Sequence, residues 1–192
     1  MHETLLANPE FFDALLRLDE ELAGESREAG CGCGGTLHRA DYPRKPRGGP
    51  KGLTEQHEKR LSFCCVVEGC RRRATPPSVR FLGRKAYWGA VVLLVPILME
   101  GPTPRRVDRL QRLIGVSART LRRWRRWWRQ IVAGSRWFAA ARGSFAPSMV
   151  GELLPGSLLE AFSRLADPTE RVVAVLRWLA PLSTGSAAAA TR

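Results

Sequence analysis

The chain has 192 residues and carries 31 basic against 18 acidic side chains, giving a formal net charge of +13 and a pI near 10.9. That length holds one medium domain or two small ones, and the positive excess points to a polyanionic partner. Acids follow the first six residues where a secretory leader would be apolar, and the apolar stretch 86–99 is short and contains Pro96, so neither a leader nor a membrane span is expected.

A cytoplasmic, nucleoid-associated protein is therefore expected, in which five cysteines serve as metal ligands or free thiols rather than disulfides. The charge is unevenly spread. Residues 1–30 hold eight acids and two bases, residues 31–150 hold twenty-five bases and six acids, and residues 151–192 hold four of each. The polyanion-binding surface should thus lie in the middle of the chain.

Asn8 and Pro9 make a helix start, with Asn8 as N-cap and Pro9 in the first turn. Phe12, Leu15, Leu16, Leu18 and Leu22 give the helix an apolar face, and acids crowd its other side. This acidic helix could dock on the basic body or pair with another subunit. Residues 24–30, bounded by glycines, read as a linker that closes a first unit at residue 30.

A small β module is expected over residues 31–82. Cys31 and Cys33 form one cluster, and Cys64, Cys65 and Cys70 form a second. Two cysteine pairs on turns are what a tetrahedral structural zinc site requires, and Gly34 and Gly69 supply the positive φ angles such turns use. Cys65, with four residues between it and Cys70, has the more usual ligand spacing, so Cys31, Cys33, Cys65 and Cys70 are the expected ligands of one Zn²⁺ per chain. Cys64 and His38 stay open as substitutes, because the first pair is C-x-C and thirty-one residues separate Cys33 from Cys65. Leu61 and Phe63 alternate with polar neighbours, which places this cluster at a strand end. No general base stands near enough in sequence to suggest a catalytic metal.

Between the clusters, prolines and glycines in residues 39–50 argue against regular structure and leave Arg44, Lys45 and Arg47 exposed. This segment is either an arm that tracks phosphates or a minor groove, or a solubilising loop. Arg71, Arg72 and Arg73 directly follow Cys70, where a metal-bound turn would hold them rigidly for phosphate contact.

Residues 83–132 read as a three-helix, homeodomain-like helix-turn-helix unit. Its first helix runs from about Gly83 to Met99 and ends before the Pro-rich stretch 101–104. A second covers residues 105–113, with Val107, Leu110, Leu113 and Ile114 on one side. Gly115 then makes the turn and Ser117 caps the third helix. At 100° per residue, Leu121, Trp124 and Trp128 form one stripe of that helix, while Arg119, Arg122, Arg123 and Arg126 lie largely opposite, facing solvent or an anion. Double-stranded DNA is the expected partner.

Residues 133–182 hold two more amphipathic segments, marked by Leu158, Leu159, Phe162 and Leu165, then by Val172, Val173, Val175, Leu176 and Leu179. Residues 183–192 are small and polar and read as a disordered tail. The fold class expected is mainly α with a small β zinc-ribbon-like module.

A double-cysteine module ending in CRRRATPPSVRFLGRKAYWGAVV, then a helix, then GVSARTLRRW, resembles the N-terminal zinc-ribbon and helix-turn-helix region of bacterial insertion-sequence transposases. The resemblance covers roughly residues 31–130. It implies metal roles for Cys31, Cys33, Cys65 and Cys70, and contact with element ends for the helix beginning at Ala118. Such transposases continue into an RNase H-like domain with three carboxylates holding two metal ions. Here Glu152, Glu160, Asp167 and Glu170 follow on helical patterning in too short a segment, so the catalytic half is expected to be absent. The expectation is a transposase-like DNA-binding protein that is not itself an enzyme. A transcriptional regulator, the DNA-binding subunit of a split transposase, and an RNA- or ribosome-associated zinc protein remain the alternatives. A second copy of the chain or a partner transposase subunit are the protein partners considered.

Overall fold

The computed structural model of the chain describes residues 2–83, 85–99, 108, 111–112, 114–145 and 150–184. They form a mainly helical protein with a small antiparallel sheet region. Helix α1 (His2–Leu6) leads into α2 (Pro9–Glu28), which begins as expected: the Asn8 side chain accepts the Glu10 N–H at 3.0 Å and Pro9 occupies the first turn. Residues 24–30 are not a linker. Helix α2 continues through Gly24 to Glu28 because Ala23 is buried, and the chain turns only at Gly30, whose φ of +69° is left-handed.

Strands β1 (Leu37–Arg39), β4 (Phe63–Cys65) and β5 (Arg73–Ala74) form a three-stranded sheet in the order β1-β4-β5. A second pair joins β2 (Tyr42–Pro43) to β3 (Lys59–Arg60), which directly follows the single turn α3 (Glu55–Glu58). The loop 39–50 is thus not devoid of regular structure. Its Tyr42 and Pro43 pair with Arg60 and Lys59, and Arg47 bridges to Tyr87.

Helix α4 (Gly89–Leu98) starts six residues later than the sequence pattern suggests. Before it the chain doubles back: the Lys85 N–H donates to Leu82 O at 3.1 Å, Phe81 bridges antiparallel to Trp88, and the Gly89 N–H donates to Arg80 O at 2.7 Å. Gly89 is required at that point, because a Cβ would sit 3.1 Å from both Val79 O and Arg80 O. Helix α4 is buried on all sides, as its uniform apolarity demands. Most of the expected helix at 105–113 lies outside the described residues, including Val107, Leu110 and Leu113, as does the stretch 101–104. Asp108, Gln111, Arg112 and Ile114 are helical, and Ile114 is buried.

Gly115 then turns with φ +66°, and Ser117 caps α5 (Ala118–Arg126) by accepting the Thr120 N–H. The helix continues as a π-helical segment, Trp127–Val132. Leu121, Trp124 and Trp128 are buried, and the Trp128 indole donates to Val92 O at 3.0 Å, which fixes α5 on α4. Helices α6 (Arg136–Ala141), α7 (Gly156–Ala161) and α8 (Pro168–Leu179) complete the body. The last two are the amphipathic segments expected, with Leu158, Val172, Val175, Leu176 and Leu179 fully buried.

One large apolar cluster joins Leu5, Phe12, Leu15, Trp88, Leu94, Trp124, Trp128, Leu158 and Leu176, so α1, α2, α4, α5, α7 and α8 share a core. A second, smaller cluster gathers Ala23, Leu37, Leu61, Phe63 and Cys65. Ser183 does not belong to a loose tail: its hydroxyl accepts the Ser78 N–H at 2.8 Å and a proton of Arg60 at 3.2 Å. Residues 185–192 lie outside the described residues. Among the described residues no helix is long and apolar enough to cross a membrane.

Candidate metal centre and basic surface

Four thiols meet beside the small core. The ligand atoms of Cys31, Cys33, Cys65 and Cys70 all lie within 4.8 Å of one another, the one group of three or more potential metal ligands found among the described residues. Cys31 Sγ and Cys70 Sγ are 3.7 Å apart, and Cys33 Sγ and Cys65 Sγ 3.5 Å. A tetrahedral ion with sulfur at about 2.3 Å implies S···S edges of about 3.8 Å, whereas a disulfide would need about 2.05 Å. The cluster is thus compatible with a metal site and too open for disulfides.

Strand geometry selects Cys65 over Cys64. Successive side chains point to opposite faces, so Phe63 and Cys65 turn into the small core while Cys64 turns outward. The Cys64 thiol, half-buried, instead lies 3.4 Å from Arg71 O, and His38, paired with Cys64 across the sheet, is exposed. The one alternation removes both substitutes. The two turns use glycine as expected, with φ +82° at Gly34 and +86° at Gly69. Gly35 is needed for its size: a Cβ there would lie 2.5 Å from Val67 Cγ2 and 2.8 Å from Cys65 Sγ.

Backbone amides two residues beyond three of the cysteines point at the sulfurs. The Gly35 amide, with hydrogen bonds shared among Cys70, Cys65 and Cys31, pulls the Cys33 thiol down to about 7. At Cys65 the Val67 amide favours the thiolate, but burial and the proton shared with its neighbours outweigh it and push the thiol up to about 12. Cys70 is raised too: the Arg72 amide opposes this, and Cys33, burial and Cys31 prevail. Four sulfurs this close cannot all ionise unless a cation offsets their charge.

The basic residues divide into tethered and free. Arg119, Arg122, Arg123 and Arg126 are all exposed on α5, opposite the buried Leu121 and Trp124. The fifth arginine of that helix, Arg125, turns inward and donates to Met99 O at 2.8 Å. In the loop 39–50, Lys45 and Arg47 are exposed, but Arg44 is half-buried, donating to Gly83 O and Lys85 O at 3.1 and 3.0 Å. Arg44 is therefore not one of the exposed bases expected there. Arg71, Arg72 and Arg73 are exposed, and Arg73 is also tethered, donating to Ala40 O at 2.9 Å and lying over the Tyr42 ring. The carboxylates Glu152, Glu160, Asp167 and Glu170 are exposed, and that of Asp167 caps α8 through the Thr169 and Glu170 amides.

Three residues that the sequence pattern did not single out shape this surface. Lys85 places its ammonium 4.4 Å above the Trp127 ring. Asp19 and Arg80 form a wholly buried ion pair at 2.8 Å, joining α2 to the strip before α4. Asp19 was legible in principle, because an acid on the Phe12–Leu15 seam needs a buried partner. Nothing in the sequence pattern distinguished Lys85 from other loop lysines.

No protein-family model matches the chain, and comparison with curated proteins and with solved structures gives no match.

Proposed function

We propose that the chain binds double-stranded DNA with α5 as the second helix of a helix-turn-helix, steadied by a ribbon-like module around one structural zinc ion. The observation that carries this reading is the two-faced character of α5. Its tryptophans anchor it to α4, and four arginines stand exposed on the other side. Arginine forks suit guanine edges and backbone phosphates, and an anchored helix holds them in register. The left-handed Gly115 and the Ser117 cap give the helix a sharp, fixed start. The four-thiol donor set favours Zn²⁺ over hard cations, and the closed set of four protein ligands suits a structural ion rather than a catalytic one.

The role we infer is that of a transposase-like DNA-binding protein without strand-transfer chemistry of its own. The resemblance in order of parts supports it, as does the use of the Asp167 carboxylate as a helix cap. The test is selection of a randomised duplex library by the purified chain, with sequencing of the bound fraction. Enrichment of a motif resembling inverted element ends is expected. A motif found instead at the gene's own promoter would make the protein a regulator, and absence of any duplex retention would overturn the DNA reading.

A further inference from the structure

Lys85 is a half-buried lysine held in a defined place. Its own N–H donates to Leu82 O at 3.1 Å, while its carbonyl and that of Gly83 accept from Arg44 Nη2. Arg44 lies over the Phe81 ring, and Arg47 N–H donates to Ala86 O at 2.9 Å, so the loop after β2 pins this strip along its length. On the other side the strip packs on α5: Tyr87 meets Trp124 edge-on at 4.9 Å, and the Lys85 ammonium rests on Trp127. Among the described residues neither Lys85 nor Arg123 is ion-paired with a carboxylate. Burial, and after it the charge of Arg123, brings the Lys85 amine down to about 8.

The Lys85 ammonium lies over the ring of Trp127, whose N–H donates to Arg123 O one helical turn back, so the two cations share one flank of the helix and an anion bound there would offset both charges. The anion must accept from two adjacent cations at the flank of an exposed arginine face, and a phosphate oxygen does so. We propose that Lys85 and Arg123 together grip one backbone phosphate of duplex DNA beside α5, with Trp127 and Arg44 as positioning residues for Lys85. This rests on the DNA-binding reading of α5 and adds to it a contact from outside the helix. The loop after β2 then serves the site chiefly by holding Lys85 in place rather than as a free arm.

The experiment measures binding of a duplex oligonucleotide across a salt series, with thermal melts, for the parent chain and for Lys85→Met, Lys85→Arg, Arg44→Met and the Arg44→Met/Lys85→Met double variant. Lys85→Met keeps the aliphatic stem on Trp127 and removes the charge. It should lower the slope of log affinity against log salt by about 0.9, the value for one phosphate contact, while melting no lower than the parent. Lys85→Arg should keep the parent slope. Arg44→Met should also lower the slope but add nothing on top of Lys85→Met, as expected of a residue acting through another. An unchanged slope in Lys85→Met, while replacing Arg122 or Arg126 does lower it, would overturn this contact and leave the DNA reading intact. Lys85→Met melting well below the parent would make Lys85 a packing residue and equally overturn the inference. Additive effects of the two substitutions would remove Arg44's positioning role, and a parent chain that binds no duplex would end both readings.

Discussion

The Asp19 carboxylate meets the Arg80 guanidinium at 2.8 Å, and neither side chain reaches solvent. Every remaining polar atom there is satisfied. Asp19 also accepts from Ser78 Oγ and the Val79 N–H, while Arg80 donates to the carbonyls of Gln56, His57 and Lys59. Removing one partner leaves a buried charge uncompensated. Asp19→Ala should therefore destabilise the fold by about 3–5 kcal/mol, measured by denaturant melts. A loss under 1 kcal/mol would show that water reaches Arg80.

The thiol cluster predicts one zinc per chain in freshly purified, reduced protein. Cys70→Ser should lose the metal, and Cys64→Ser should retain it because Cys64 faces away from the cluster. Elemental analysis of the variants decides the matter, and zinc loss in Cys64→Ser would exchange the roles of the two neighbours.

Gly35→Ala tests the same centre through size alone. The added methyl would press on Val67 and on the Cys65 sulfur, both held by strand and turn. Metal affinity should fall at least tenfold in competition with a chromophoric chelator, with the helical body's far-UV signal unchanged.

For α5, the quadruple alanine variant of Arg119, Arg122, Arg123 and Arg126 should fold and fail to bind duplex DNA. Individually, those arginines that reach guanine edges should cost roughly 1–3 kcal/mol, and those on phosphates should lower the salt slope by about one each. Trp124→Ala should abolish binding for another reason, an unfolding loss of about 3–5 kcal/mol visible as a lowered melt. Ser117→Ala should cost about 1 kcal/mol of stability by removing the cap. Undiminished DNA binding by the folded quadruple variant would move the reading head elsewhere.

Lys85 makes a pH prediction of unusual sign. A cation whose folded pKa is depressed holds its proton more tightly in the unfolded chain, so from about 8 up to the ordinary lysine value near 10.5 the unfolded state binds more protons. Folding stability from this group therefore rises with pH across that window. Burial is the larger cause of the depression and the charge of Arg123 on α5 the second. Subtracting the Lys85→Met melting curve from that of the parent should isolate the rise, and a flat difference between pH 8 and 10 would refute it.

The elements with a strong local signal were legible in the sequence. Asn8, Ser117 and the Leu121–Trp124–Trp128 stripe depend on neighbours within two turns, and each stands where its spacing places it. Cys65 was legible from ligand spacing, and the strand alternation supplies the physical reason. What the sequence hid was tertiary. Gly24 suggested a linker, but Ala23 packs on the small core and carries the helix through. Prolines suggested an irregular loop at 39–50, yet Pro43 pairs at a sheet edge and Arg47 bridges to a strip some forty residues away. A helix start near Gly83 suited the apolar run from Ala86 onward, but backbone bonds from Ala86 and Trp88 to Arg47 of that distant loop hold these residues out of the helix.

Helix α2 touches two cores along one continuous rod: Phe11, Phe12 and Leu15 lie in the large cluster, and Ala23 lies in the small one with Cys65. Its amides therefore form a ruler for how far the loss of metal is felt. On chelation, hydrogen exchange should quicken from the Ala23 turn onward and stay slow around Phe12, with the boundary at Asp19, where the buried ion pair clamps the rod.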